Sequence, residues 1–291
     1  MSGFDRAVGL ARSLAVYHAI PGRQRRLRRL YTDFVGAGEL VFDVGAHAGN
    51  HVRAFASLGC RVVVLEPQPD FARLLRAFFG RSSQIVIVEA GVCDAPGRAL
   101  LLLSERTPTV TTLVAAWRDA RAQDPDFGRV QWNRQIEVET TTLDRLIERF
   151  GPPTFVKIDV EGSEAAVLAG LTLAVPALSF EYLPRGLDEV QACVTRLTAL
   201  GAYRFNWSTG ESYQLASDRW LNDRELLAIF TPRGPSEDQG TCMRCARCGG
   251  PSCSTHAMPN PDWPYSLNIE PSDCDGESQQ RPSRGLPGVR V

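Results

Sequence analysis

The chain has 291 residues and a formal net charge of −1, enough length for one large domain or two small ones, with no strongly basic field to suggest a nucleic-acid partner. Hydrophobic residues make up 44% of it, which predicts a globular fold with a real core, and no apolar run reaches the roughly 20 residues of a membrane span. Asp5, Arg6 and Arg12 interrupt the apolar N-terminal residues, so no signal-peptide core is expected there and the expected location is the cytoplasm.

Residues 4–34 predict helical material broken near Pro21-Gly22. Arg23, Arg25, Arg26, Arg28 and Arg29 alternate there with Leu27, Leu30, Tyr31 and Phe34, as the wet face of a helix would. Leu40 to Val44 is a short apolar run before a glycine-rich turn and reads as a buried strand. A helix follows over 50–58, with Gly59 as its stop, then a second buried strand from Arg61 to Leu65 that ends at Glu66-Pro67. A helix over 69–79 and a strand from Ile85 to Val88 complete this half.

Arg98–Ser104 and Gln135–Thr142 read as strands flanking a polar stretch that holds Thr109, Thr111 and Thr112, candidates for binding substrate hydroxyls or for an ordinary turn. Next come a helix over Leu143–Phe150, a buried strand over Thr154–Val160 and a helix from Ser163 to about Ala169. Strand Ala177–Tyr182, helix Leu187–Leu200 and strands Tyr203–Asn206 and Leu226–Phe230 close the series. Short apolar strands alternating with amphipathic helices predict an α/β fold, a mostly parallel sheet with helices on both faces. The expected divisions are an N-terminal helical segment (1–34), a main domain (35–231) and a tail (232–291) rich in Pro, Gly, Ser and Cys, with few aliphatics to build a core.

The cysteines divide in the same way. Cys60, Cys93 and Cys193 stand singly in apolar surroundings, as reduced core cysteines do. In the tail, Cys242, Cys245, Cys248 and Cys253 have metal-like spacing that suits zinc or an iron–sulfur cluster, against the alternative of incidental cysteines in a disordered extension.

The turn Asp43-Val44-Gly45-Ala46-His47-Ala48-Gly49 follows the first strand and opens a helix, and Glu66 ends the second strand. Gly45 permits a tight turn, Gly49 permits close backbone approach, and an acid in the place of Glu66 can accept hydrogen bonds from both hydroxyls of a ribose. The pattern points to an adenosine-containing cofactor. A dinucleotide would want a glycine where His47 stands and would be repelled by Asp43. A carboxylate-lined turn instead suits S-adenosylmethionine (SAM), which carries an ammonium and a sulfonium and no phosphate.

One residue stands out by composition. Lys157 is the only lysine, and every other basic side chain except the four histidines is Arg. An ammonium is a compact, tunable charge where a guanidinium is a fixed fork. Lys157, Asp159 and Glu161 alternate with apolar residues, which predicts one shared side of a strand and places the acids at its exit, where ligands of parallel sheets bind.

Phe42-Asp43-Val44-Gly45-Ala46-His47-Ala48-Gly49, Leu65-Glu66-Pro67, Asp94 with Gly97, Thr141-Thr142-Leu143-Asp144, Lys157-Ile158-Asp159-Val160-Glu161-Gly162 with Glu164, Leu168 and Gly170, and Phe180-Glu181 together resemble the FkbM-type SAM-dependent methyltransferases over about residues 35–231. The resemblance implies a class I methyltransferase fold, Rossmann-like, with a seven-stranded mostly parallel sheet whose last strand is antiparallel. It also implies methyl transfer to a hydroxyl of a sugar, glycan or natural-product-like small molecule. Carried over to this chain, Asp43, Gly45, Ala46, His47 and Gly49 would form the SAM turn and Glu66 would hold the ribose. Ala90, Gly91 and Val92, with Asp94 nearby, would border the adenine.

An alcohol is a poor nucleophile until its proton leaves, so Asp159, Glu161 and Glu181 are base candidates, with Lys157 as their orienter. His47 and His51 flank the turn and remain alternatives, His51 against the simpler role of a helix-surface residue. Asp144 reads as a helix N-terminal acid. A divalent metal on Asp159 and a second acid is conceivable, though not expected. The rival readings are a non-catalytic SAM-binding module and an NAD-linked oxidoreductase.

Overall fold

The computed structural model describes residues 2–183, 186–230 and 240–247. Two helices, α1 (Ser2–His18) and α2 (Arg23–Tyr31), precede the sheet and are separated by Gly22 in a left-handed conformation (φ 77°). Then follow β1 (Leu40–Val44), α3 (Asn50–Ser57), β2 (Arg61–Leu65), α4 (Pro69–Phe79) and β3 (Ile85–Val88). The middle of the chain contains β4 (Gly91–Val92), β5 (Gly97–Leu103), α5 (Ala115–Ala122), β6 (Arg134–Thr141) and α6 (Leu143–Phe150). The remainder contains β7 (Phe155–Ile158), α7 (Glu164–Ala169), β8 (Ala177–Phe180), α8 (Leu187–Leu200), β9 (Tyr203–Thr209), α9 (Asp223–Ile229) and β10 (Gly240–Arg247).

The main sheet runs in the order β3-β2-β1-β7-β8-β10-β9. Its first five strands are mutually parallel, and β10 is antiparallel to both of its neighbours. Apolar cores fill both faces. Phe42, Val44, Leu65, Val156, Ile158 and Phe180 pack against α6, α7 and α8, and Val41, Val62, Val64 and Phe155 pack against α2 and α3. Strands buried on both faces need continuous apolar runs, which is why β1, β2 and β7 are nearly unbroken Val, Leu, Ile and Phe.

Three expectations change. Leu226–Phe230 is not a strand: Leu226 to Ile229 lie in α9, started by a reciprocal cap in which Asn222 accepts from the Glu225 amide and Glu225 accepts from the Asn222 amide. The signal Asn222-x-x-Glu225 was present in the sequence. The antiparallel strand next to β8 is instead β10, which lies beyond the boundary expected at 231. β5 and β6 leave the main sheet and form a separate three-stranded sheet with β4. The Arg-rich helix also departs from its expected wet face at one position. Arg23 is buried, ion-paired with Glu211, while Arg25, Arg26, Arg28 and Arg29 are exposed.

Cys60 and Cys193 are buried free thiols, each with its pKa pushed up by burial, and Cys93 is half-buried. Of the tail cluster, Cys242 and Cys245 fall on β10, and Cys248 and Cys253 lie outside the described residues. Among the described residues no helix is long and apolar enough to cross a membrane.

Candidate active site

A cleft of about 770 Å³, open to solvent, lies beyond the C-terminal ends of β1, β2 and β7. Its floor is the turn after β1. Gly45 (φ 74°) has no room for a side chain, because a Cβ there would overlap the Asp159 backbone oxygen. Gly49 (φ 79°) is similarly confined, 2.7 Å from Leu75 and 2.8 Å from Phe79 at the position a Cβ would take. Gly45 is therefore required twice, by backbone sign and by space, whereas Gly49 is required by its backbone sign and crowded only by side-chain ends.

Lys157 locks this turn. The parallel register sets Lys157 beside Asp43, so the two side chains meet between β1 and β7. Its Nζ donates to the Gly45 carbonyl (2.8 Å) and pairs with Asp43 and Asp159, each at 3.2 Å. Lys157 is 4% exposed and Asp43 is fully buried. Burial opposes the ammonium, yet Asp159 and Asp43 outweigh it and hold its pKa above the ordinary lysine value. Asp43 is raised because burial exceeds the help it takes from Lys157. One ammonium thus faces two carboxyl groups in the floor.

Glu66, at the end of β2, is 5% exposed and faces the cleft. Its two oxygens accept from the backbone amides of His47 (2.7 Å) and Gln68 (2.8 Å). Burial still pushes its carboxyl up to about 7. Ala90, Gly91 and Val92 line the same cleft. Asp94 is not brought to it: the chain turns away after β4, and Asp94 is exposed in the connection to β5.

His47 lines the cleft with its ring wedged between Phe71 (centroids 3.9 Å apart) and Tyr17 (5.2 Å). Burial lowers its pKa to about 3, so the imidazole is neutral and a weak base. His51 also lines the cleft, and its Nδ1 bonds the Tyr31 hydroxyl at 2.7 Å, so it is a packed residue rather than a surface one. Thr109 and Thr111 line the cleft. Thr112 is buried and donates to the Glu161 carbonyl (2.7 Å), which fixes the loop after β7. Asp144 accepts from the Thr172 amide (2.9 Å) and serves the loop after α7.

Asp159, Glu161 and Glu181 converge, each offering an oxygen within 4.8 Å of the others, a set that could ligate a hard cation or share protons. Simple strand alternation does not bring them together. β7 ends at Ile158, and Glu161 sits in a left-handed turn (φ 54°) that folds it back. Glu181 enters from the exit of β8, where its amide donates to the Ile158 carbonyl (3.1 Å). Burial, then the neighbouring carboxylates, pushes Glu161 and Glu181 well above the ordinary range. Asp159 and Glu161 line the cleft, and Glu181 stands behind them.

Sequence reasoning passed over Glu164 as a site residue. Its oxygens accept from the Val160 (3.0 Å) and Gly162 (2.9 Å) amides and so shape the turn that presents Glu161. Its position just after Ser163, opening a helix, was the available signal. Tyr17, from α1, also lines the cleft, and no periodicity in α1 marked it.

A parallel α/β sheet that carries a glycine turn after its first strand, an acid after its second and an antiparallel strand near its far edge defines the class I methyltransferase fold. The methyltransferase FkbM domain matches residues 43–211, and the chain belongs to that family. It is 25% identical over 155 residues to the hexuronic acid methyltransferase AglP of Haloferax volcanii, covering 52% of this chain and 58% of that protein. The chain thus spans little more than half the length of that relative. Among solved structures, it is similar to a SAM-dependent O-methyltransferase from Thermotoga maritima (12% identity, TM-score 0.39, covering 80% of this chain and 67% of that one). A precorrin-6y C5,15-methyltransferase from Geobacter metallireducens is also similar (11% identity, TM-score 0.36, covering 76% and 88%).

Proposed function

We propose that the protein binds SAM in this cleft and moves its methyl group to a hydroxyl of a sugar, glycan or natural-product-like small molecule. The observation that carries the reading is the frame of the cleft. A turn with no space for side chains is locked by one buried lysine, opposite a buried acid at the end of the next strand. Glu66, Asp159 and Glu161 line the cleft, Asp43 lies buried beneath, and Lys157 is the lysine among them, so acidic groups outnumber the ammonium. Such a lining favours an ammonium and a sulfonium and opposes a pyrophosphate, which argues for SAM over NAD. Membership of the family supports the same cofactor, and the relative that acts on a hexuronic acid supports a sugar acceptor.

In this reading the backbone of Gly45, Ala46 and Gly49 cradles the amino-acid end, Glu66 accepts from the ribose hydroxyls, and Ala90, Gly91 and Val92 wall the base. SAM would supply a methyl carbon on a positively charged sulfur. Glu161 takes the acceptor's proton as its oxygen attacks, because a carboxyl pushed upward by burial is a stronger base near neutral pH. Burial, then Asp159 and Glu164, keep Glu161 raised, and Glu164 also holds its loop. Lys157 positions Asp159 and the turn rather than exchanging protons.

Binding calorimetry with SAM and NAD, followed by labelled-methyl transfer to a panel of hydroxylated sugars, tests the proposal. Glu161→Gln is predicted to bind SAM within about twofold of wild type while transfer falls by roughly 10²–10⁴. NAD binding without SAM binding would overturn the reading.

A further inference from the structure

The N-terminal helix α1 lies before the region matched to the family, yet it is seated on the cleft at several points. Gly9 meets the β5 exit so closely that a Cβ would overlap the Glu105 carbonyl and stand 3.1 Å from Pro108. Arg6 is ion-paired with Asp70 at the start of α4. His18 Nε2 bonds the Ala48 carbonyl (2.8 Å), inside the glycine turn itself. These three anchors hold the helix against the β5 exit, the start of α4 and the glycine turn, and between the second and the third the helix presents Tyr17 to the cleft.

Tyr17 is half-buried and lines the cleft together with Gly45, His47, Asp159 and Glu161. Its ring stands edge-on to His47 at 5.2 Å, and the Arg23 guanidinium lies 5.6 Å from its centroid. Burial, then Asp159, Glu161 and Glu181, raise the phenol's pKa, so the hydroxyl keeps its proton at neutral pH.

We propose that α1 roofs the cofactor site and that Tyr17 touches the cofactor at its sulfonium end, the ring closing that end with His47 and the phenol oxygen joining the carboxylate oxygens that favour a positive charge there. The inference rests on the SAM reading above and adds a cofactor-contacting residue outside the matched region. A ring contact acts on SAM and on its demethylated product alike. An oxygen beside the charged sulfur helps SAM alone, because the product's thioether is neutral.

The test is calorimetry on the full chain with SAM and with S-adenosylhomocysteine, on wild type, Tyr17→Phe and Tyr17→Ala, with melting temperatures measured alongside. Tyr17→Phe keeps the ring, so its melting temperature should hold, and its SAM-over-product preference should drop about three- to tenfold, the worth of one polar contact. Tyr17→Ala should weaken both ligands by about tenfold or more. A purely structural role would weaken both equally and leave the ratio alone. An unchanged ratio in Tyr17→Phe, or binding by Tyr17→Ala within twofold of wild type, overturns the proposal. If wild type binds neither ligand, the SAM reading itself fails, a result distinct from either of these. Should Tyr17→Ala not fold, the ratio in Tyr17→Phe still decides.

Discussion

Replacing Lys157 by Met removes the cation paired with Asp43, which is completely buried. At 3.2 Å, and with the effective dielectric of about 20 that suits buried sites, each of its two carboxylate contacts is worth about 5 kcal/mol of gross Coulomb energy. Most of that is offset in the wild type by the cost of burying the charges. The variant loses the attraction and keeps the burial cost of Asp43, so we predict a destabilisation of about 3–5 kcal/mol at pH 8. The loss depends on pH in a defined direction. Without Lys157 the Asp43 carboxyl, already raised, rises further. Folded Asp43 then costs little where it holds a proton and progressively more as pH rises through its folded pKa. Lys157 itself, with its pKa above the lysine value, stays charged throughout this range and adds no slope. Urea unfolding of wild type and Lys157→Met at pH 5 and pH 8 measures both effects. A deficit under about 1 kcal/mol at pH 8, or one equal at the two pH values, would refute the description of Lys157 as the charge that holds Asp43 and the turn.

Gly45→Ala is predicted to abolish measurable SAM binding, and a chain that still bound within tenfold would show that the turn can shift away from Asp159. The ligand-free protein should lose stability as pH rises from about 4.5 to 7.5. Glu66 and Glu164 both have folded pKa values of about 7, so each contributes stability that is full below its unfolded value and lost as pH rises, on the order of 3 kcal/mol apiece. Asp70, held low by Arg6, acts in the opposite sense and only at more acidic pH, so a flat or rising curve across the window would contradict the assignment. Asn222→Ala should cost about 1 kcal/mol by removing the α9 cap, measured by urea unfolding, and no change would mean that the packing of Leu226 alone holds that helix.

The parts of the site legible in the sequence were those built from local chemistry. A glycine after an apolar strand, a second glycine opening a helix and an acid after the next strand are signals carried within a few residues; Gly45 and Glu66 line the cleft, and Gly49 packs against Leu75 and Phe79 behind it. Asp94 followed from family resemblance rather than from any such signal, and it lies on the surface. Glu161 was singled out by strand alternation, but it reaches the acid cluster through a left-handed turn that alternation does not contain. The segment Leu226–Phe230 looked like a strand because five residues are too few to separate periods of 2 and 3.6. The cap at Asn222, four residues upstream, carried the better information.

What the sequence determined by itself was the class of fold and the chemistry of the turn. Both follow from apolar periodicity and from residues whose backbone or charge has few substitutes. What only the tertiary structure decided was partnership. The β1–β7 register made Lys157 a tie between Asp43, Asp159 and the Gly45 carbonyl. The exits of β7 and β8 brought Glu181 to Glu161. The seating of α1 brought Tyr17 across about thirty residues of chain to the ring of His47. Charge pairing and burial depend on distances between segments remote in the chain, and no local pattern encodes those distances.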